Sequence, residues 1–253
     1  MPVRIERKKQ RILSLPFLAA TSPSKNYVFN LLYTFIQEQR PNRSLDAGTG
    51  ELRNRWMFPG EYFGITVENE GYYRGLELAK AHFIQQTGPT TVYLMYLEDD
   101  FSFLAPMDLT VCTHTISYVR NRPDAIARLA GVVRLGGAMF LSNSIIHPGT
   151  AADAAPADCL AEAIAVLEPL FDDLEVVFCA AEGFEADLKD TPDQVRGLTT
   201  LEMNMPNTRE EHTEFCIMAR GKKVPPRPQA PMPPLINDRG LMIVDPSLVG
   251  AFP

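Results

Sequence analysis

Ser44-Leu45-Asp46-Ala47-Gly48-Thr49-Gly50 decides how this chain is read. Leu45 closes a short apolar run, and Asp46, Gly48 and Gly50 then alternate through a tight turn. Glycine has no Cβ and tolerates positive φ, so such a turn lets backbone approach a ligand closely. Asp46 sets a carboxylate at the lip of the turn. That combination suits a ligand with a sugar and an ammonium group. It suits a pyrophosphate poorly, because Arg53 stands where a dinucleotide loop has its third glycine.

Outward from the turn, short β-branched or aromatic runs alternate with helical patterns. Strands are expected at 61–67, 91–97, 108–114 and 135–142, with two more at 174–179 and 214–218. Ser22-Pro23-Ser24 reads as a helix start, and Tyr27, Leu31, Leu32, Phe35 and Ile36 recur at helical spacing. A short helix is expected from Leu52 to Met57, with its N–H groups toward the ligand. Longer ones are expected over 72–86, 123–133 and 157–171, the second stopped by Gly136-Gly137. Strand–helix alternation of this kind argues for an α/β domain with a parallel sheet and helices on both faces.

With 253 residues the chain is long enough for one such domain with a sizeable core, and its net charge of −7 disfavours nucleic acid and anionic membranes as partners. The basic run Arg4–Arg11 is read as a solvated arm or a first helical turn. Cys112, Cys159, Cys179 and Cys216 are scattered without metal-ligand spacing, which implies a reducing compartment and no metal. With no signal region and no long apolar run, a cytoplasmic protein is expected. Six prolines between Pro225 and Pro234 read as a linker, and Leu241–Val244 after them as an apolar segment that packs somewhere.

Four motifs in order resemble the class I S-adenosylmethionine-dependent methyltransferases: LDAGTGE, YFGITVENE, YLEDDFSFLAPMDLTVCTHTISYV and ARLAGVVRLGGAMFLSN. The likeness covers residues 26–220. It implies a Rossmann-like, seven-stranded, mostly parallel sheet of order 3-2-1-4-5-7-6, with the last strand antiparallel. Residues 1–25 would be an N-terminal extension, 26–221 the methyltransferase domain and 222–253 a proline-rich tail. The cofactor implied is S-adenosyl-L-methionine.

In such a sheet the ligand lies at the carboxyl ends of the strands, where strand order reverses. The resemblance gives Asp46, Gly48 and Gly50 to the methionine part of the cofactor. Thr66 stands where the family carries an acid for the ribose; one hydroxyl cannot replace a bidentate acceptor. Glu68 is the substitute carboxylate, and weakened ribose binding is the alternative. For the adenine amino group Asp99 is the first choice and Glu98 the second, with Phe101 or Phe103 either covering the ring or packing in the core. Thr113 and His114 end the fourth strand beside the transferred methyl. His114 is the first candidate base and His147 the second; a loop-bonding role for either stays open. Tyr118 is placed on the wall of the same pocket.

The activity expected is methyl transfer to an oxygen or nitrogen of a small metabolite or sugar, in a chain compatible with a homo-oligomer. The alternative is a methyltransferase-like binding or regulatory subunit without activity, motivated by Thr66. The parts of a hydrolase elbow, a Walker loop and a His-Glu-x-x-His site are missing from the sequence.

Overall fold

Met107–Thr113 is a strand buried on both faces, with Leu109 and Val111 in one half of the core and Met107 and Cys112 in the other, and it lies near the centre of the sheet. The structure, a computed structural model, describes residues 4–7, 23–50, 52, 54–67, 88–144, 156–179, 214–231 and 243–244. Nine strands form one sheet: β1 (Arg4–Arg7), β2 (Arg43–Ala47), β3 (Glu61–Thr66), β4 (Thr90–Leu94), β5 (Met107–Thr113), β6 (Val133–Ser144), β7 (Phe171–Cys179), β8 (Glu214–Lys222) and β9 (Ile243–Val244). Their order is β1-β7-β8-β6-β5-β2-β3-β4-β9.

The inner seven strands, β2 to β8, reproduce the expected order 3-2-1-4-5-7-6. β2 to β6 pair parallel, and β8 runs antiparallel to both β6 and β7. Two edge strands add to that plan. Arg4–Arg7, expected as an arm or helical turn, extends the sheet beside β7 in parallel. Ile243–Val244 closes the other edge antiparallel to β4.

Alternation along the strands splits the core in two. Leu109, Val111, Phe140, Cys216 and Met218 face α1 (Pro23–Gln39), whose Val28, Leu32, Phe35 and Ile36 cover them. Phe35 meets Phe140 ring to ring at 5.9 Å. Leu45, Ala47, Cys112, Met139, Leu141 and Ile217 face the other side. There Ile126 and Leu129 of α2 (Arg122–Gly131) join Leu160 and Ala163 of α3 (Pro156–Leu167). Each fully buried large apolar side chain contributes roughly 1.5–3 kcal/mol. The helix expected over 72–86 lies outside the described residues. Among the described residues no helix is long and apolar enough to cross a membrane.

Two helix ends differ from expectation for local reasons. α2 stops at Gly131, and Gly136-Gly137 serve a bulge inside β6 instead. There the pairing jumps from Met107↔Val133 to Leu109↔Ala138. Gly136 has φ +70°, and a Cβ on Gly137 would come within 2.9 Å of the Asp108 carbonyl oxygen. α3 stops at Leu167 rather than 171, because Pro169 disfavours helical backbone at Glu168 and lacks an N–H of its own.

Over residues 225–231 the proline-rich segment is a docked strap rather than a linker. Arg227 N–H donates to Gly131 O at 2.7 Å, Gln229 Nε2 to Ala105 O at 2.5 Å and Phe103 O at 3.1 Å, and Ala230 N–H to Ser102 Oγ at 3.3 Å. Ala105 and Gly131 lie just before β5 and β6, so the strap crosses the amino ends of the strands, opposite the ligand edge.

Candidate functional site

At the carboxyl edge, the loops after β2, β3, β4 and β5 enclose a cleft of about 1010 Å³. Gly48 and Gly50 supply one wall, Thr66 and Val67 a second, Met95 to Asp99 a third, and Thr115 with Tyr118 to Arg120 the fourth. Gly48 and Gly50 have φ of +79° and +48°. The N–H groups of Gly48 and Thr49 both donate to Ile65 O, at 2.8 and 3.0 Å, which ties the glycine turn to β3. Nothing lies within 4 Å of a Cβ built on Gly50, so its backbone borders open space.

Six residues named from the sequence line this cleft together: Gly48, Gly50, Thr66, Glu98, Asp99 and Tyr118. Asp99 Oδ2 accepts the Tyr96 N–H at 2.9 Å, so one carboxylate oxygen closes its own turn. Glu98 Oε1 accepts the Arg120 N–H at 3.4 Å and bridges two walls. Glu68 and His147 lie outside the described residues. Leu52 to Met57 gives only a single 3-10 turn, Arg55–Met57. Its Arg55 is buried and donates to Thr90 Oγ1, Phe58 O and Gly88 O.

Asp46 sits beneath the cleft rather than at its lip. Strand alternation turns it to the α1 side, where it is fully buried opposite Val111 and Gly64. Its Oδ2 accepts from Tyr62 Oη at 2.7 Å and stands 3.5 Å from Asn54 Nδ2. Thr49 Oγ1 shares the Tyr62 hydroxyl at 2.5 Å. Burial pushes the Asp46 carboxyl up to about 6, against the opposing pull of the bonds from Tyr62, Asn54 and Thr49. Asp46 Oδ1 has no hydrogen-bond partner. Thr113 is likewise buried on this side, 3.4 Å from Asn54 Nδ2.

His114 follows β5 with φ +56°, left-handed backbone uncommon for a residue with a side chain. Its N–H donates to Ser142 O at 2.9 Å, and its ring stacks on Phe29 of α1 at 6.1 Å. Its Nε2 stands 3.3 Å from Oε2 of the fully buried Glu214. The ring lies to the α1 side of the cleft and is not among its lining residues.

Phe101 and Phe103 belong to the core, with Phe103 edge-on to Tyr93. Among the described residues, Tyr96 and Tyr118 are the aromatic ones on the cleft wall, and both are exposed. Sequence reasoning named Tyr118 and missed Tyr96, Thr115, Arg120 and Glu214. A lone acid opening the apolar run Phe215–Met218 was the available signal for Glu214. Among the described residues no group of three or more His, Cys, Asp or Glu side chains could hold a metal ion. Burial pushes the Cys112 and Cys159 thiols up, which removes them as nucleophiles at neutral pH.

No family model matches the sequence, and no curated protein does. Solved structures match in shape. The N-methyltransferase NodS from Bradyrhizobium japonicum WM9, in complex with S-adenosyl-L-homocysteine, superposes with TM-score 0.53 at 14% identity, over 83% of this chain and 95% of that one. Precorrin-6y C5,15-methyltransferase from Geobacter metallireducens GS-15 gives TM-score 0.50 at 13% identity, over 83% and 93%. This chain has the class I methyltransferase fold. It also aligns with EvdMO1 at TM-score 0.48 and 15% identity, over 79% of this chain and 41% of EvdMO1. Within the methyltransferase fold, β2 carries the glycine turn, and the cleft opens between β2 and β5, where strand order reverses.

Proposed function

We propose that this protein transfers a methyl group from S-adenosylmethionine to an oxygen or nitrogen of a small-molecule acceptor. The observation that carries the reading is the cleft itself. Four consecutive strand-end loops wall it at the switch point, and its glycine turn meets open space. S-Adenosylmethionine bound there supplies a methyl carbon made electrophilic by its sulfonium.

The chain's own residues divide the binding work. Gly48 and Gly50 admit the methionine part against backbone. Asp46, with one oxygen unpartnered directly below, offers the acceptor for an ammonium group, directly or through water. Asp99 and Glu98 face the adenine end, and Tyr96 and Tyr118 border it with aromatic surface. Thr66 gives the ribose one hydroxyl, with Glu68 as the carboxylate that completes the pair. His114, and His147 as the second choice, accept a proton from the acceptor. Positioning the acceptor in line with the breaking bond supplies much of the rate.

Thr66 favours a second reading. It is only 4% exposed and uncharged where a ribose carboxylate would stand. A binding or regulatory subunit that has lost methyl transfer accommodates that substitution. Calorimetry with S-adenosylhomocysteine separates the two. Saturable binding that is lost in Glu68→Ala, with Thr66→Ala tolerated, is the expected result. An absence of heat at millimolar ligand would overturn the catalytic reading.

A further inference from the structure

Five large apolar side chains are exposed among the described residues, and three of them line the cleft: Val67 at 51%, Tyr96 at 47% and Tyr118 at 65%. They come from three different loops, after β3, β4 and β5. Exposed apolar surface gathered in this way marks a groove that takes an apolar ligand. The cleft volume of 1010 Å³ stands at the top of the range for small-ligand sites, roughly 300–1,000 Å³, which leaves room for a second molecule beside a cofactor.

The wall after β5 runs outward from Thr115, which packs on Gly48 at the glycine turn. The 3-10 turn Ile116–Tyr118 follows, and Val119 then has extended backbone, with φ −87° and ψ 135°. Extended backbone sends successive side chains to opposite sides. Val119 is accordingly buried, while Tyr118 and Arg120 are both exposed and both line the cleft. The Arg120 N–H donates to Glu98 Oε1 at 3.4 Å, so backbone alone pins this wall to the one after β4. Arg120 is the one cation of the lining among the described residues. The two carboxylates beside it are partly engaged already: Glu98 with the Arg120 N–H, and Asp99 Oδ2 with the Tyr96 N–H.

We propose that the acceptor is a small aromatic acid, whose planar ring rests on Tyr118 beside Tyr96 and whose carboxylate is taken by Arg120. This rests on the methyl-transfer reading and names the class of its acceptor. A guanidinium meets a carboxylate with two parallel N–H donors, which no uncharged group of the same shape matches. The tyrosine faces give a planar ring its stacking surface. In a chain of net charge −7, an anionic acceptor needs such a local cation to enter. Laid along the wall after β5, the acid end lies at Arg120 and the opposite end lies toward Thr115 and the glycine turn.

Calorimetry on the full chain tests this. The protein is loaded with S-adenosylhomocysteine, and 4-hydroxybenzoate, 4-hydroxybenzamide and 4-hydroxycyclohexanecarboxylate are titrated in turn. The amide keeps the ring and loses the charge; the cyclohexane acid keeps the charge and loses the flat face. We expect 4-hydroxybenzoate to bind roughly fivefold more tightly than either. Arg120→Gln erases its advantage over the amide, and Tyr118→Ala erases its advantage over the cyclohexane acid. Equal affinity of the natural chain for acid and amide overturns the proposal, and so does a loaded protein that takes up no 4-hydroxybenzoate. An advantage that survives Arg120→Gln overturns it too. A loss of S-adenosylhomocysteine affinity in Arg120→Gln assigns the guanidinium to the cofactor and has the same consequence. The comparison of the three probes uses the natural chain, so it stands even if a variant fails to fold. If the natural chain does not bind S-adenosylhomocysteine, the methyl-transfer reading falls and takes this one with it; if it binds and the acid has no advantage, only this one falls.

Discussion

Gly48 lies so close to Thr115 that a Cβ on the glycine would stand 2.0 Å from the threonine Oγ1. The contact joins the turn after β2 to the loop after β5, the two sides of the switch point. Gly48→Ala therefore meets both a steric clash and the strain of φ +79°, and we expect it to abolish S-adenosylhomocysteine binding and to cost roughly 2–3 kcal/mol of stability. Gly50→Ala meets no atom within 4 Å and suffers the φ of +48° alone, about 1 kcal/mol. Calorimetry and urea unfolding of both variants check this; equal stability losses would contradict it.

Asp46 makes stability depend on pH in a definite direction. Its folded pKa of about 6 lies above the ordinary carboxylate value. The unfolded chain therefore releases this proton first, and the favourable balance present below about pH 4 is lost as pH rises through 6. Asp46→Asn cannot ionise. Its stability relative to the natural chain should rise between pH 4 and pH 7 by up to about 3 kcal/mol. Urea unfolding across that range measures the difference; a flat difference would rule out a buried ionisation cost at Asp46.

Asp108 works in the opposite sense. Burial raises its carboxyl pKa, but the guanidinium of Arg134 and the N–H groups of Arg43 and Asn42 outweigh that and hold it below the ordinary range. These bonds tie β5 to the start of β2 and to the bulge in β6. Their stabilisation is present above about pH 4 and fades as pH falls through the depressed value. Asp108→Ala should cost roughly 2 kcal/mol at pH 7 and much less at pH 3. Chemical denaturation at the two pH values tests it.

The strap across the amino ends of the strands depends on Gln229, whose amide serves both Phe103 O and Ala105 O. Gln229→Ala should lose about 1 kcal/mol. Hydrogen exchange should quicken in residues 224–231 while the β5–β6 core stays protected. Unchanged exchange in the strap would show that the bonds carry no weight.

The central architecture was legible because its causes are local. Strand runs such as Asp108–His114 and a helix such as Pro23–Gln39 announce themselves by which positions are apolar, and the glycine turn at 48–50 announces a close approach of backbone. Pro169 and the Gly136-Gly137 pair were equally local signals. One was passed over, and the other was assigned to a helix end because its need arises in the pairing with β5.

The sequence by itself determined the alternation of strands and helices and the glycine turn, since these follow from short-range periodicity, while the inner strand order and the ligand edge were what the methyltransferase resemblance implied. Only the tertiary structure decided that Asp46 lies under the cleft against Tyr62, that the proline run straps the far edge, and that Glu214 meets His114. The members of each pair come from different strands or loops, 124 residues apart in the case of Ala105 and Gln229. Their meeting depends on register and antiparallel reversal, which side-chain pattern along one segment does not encode.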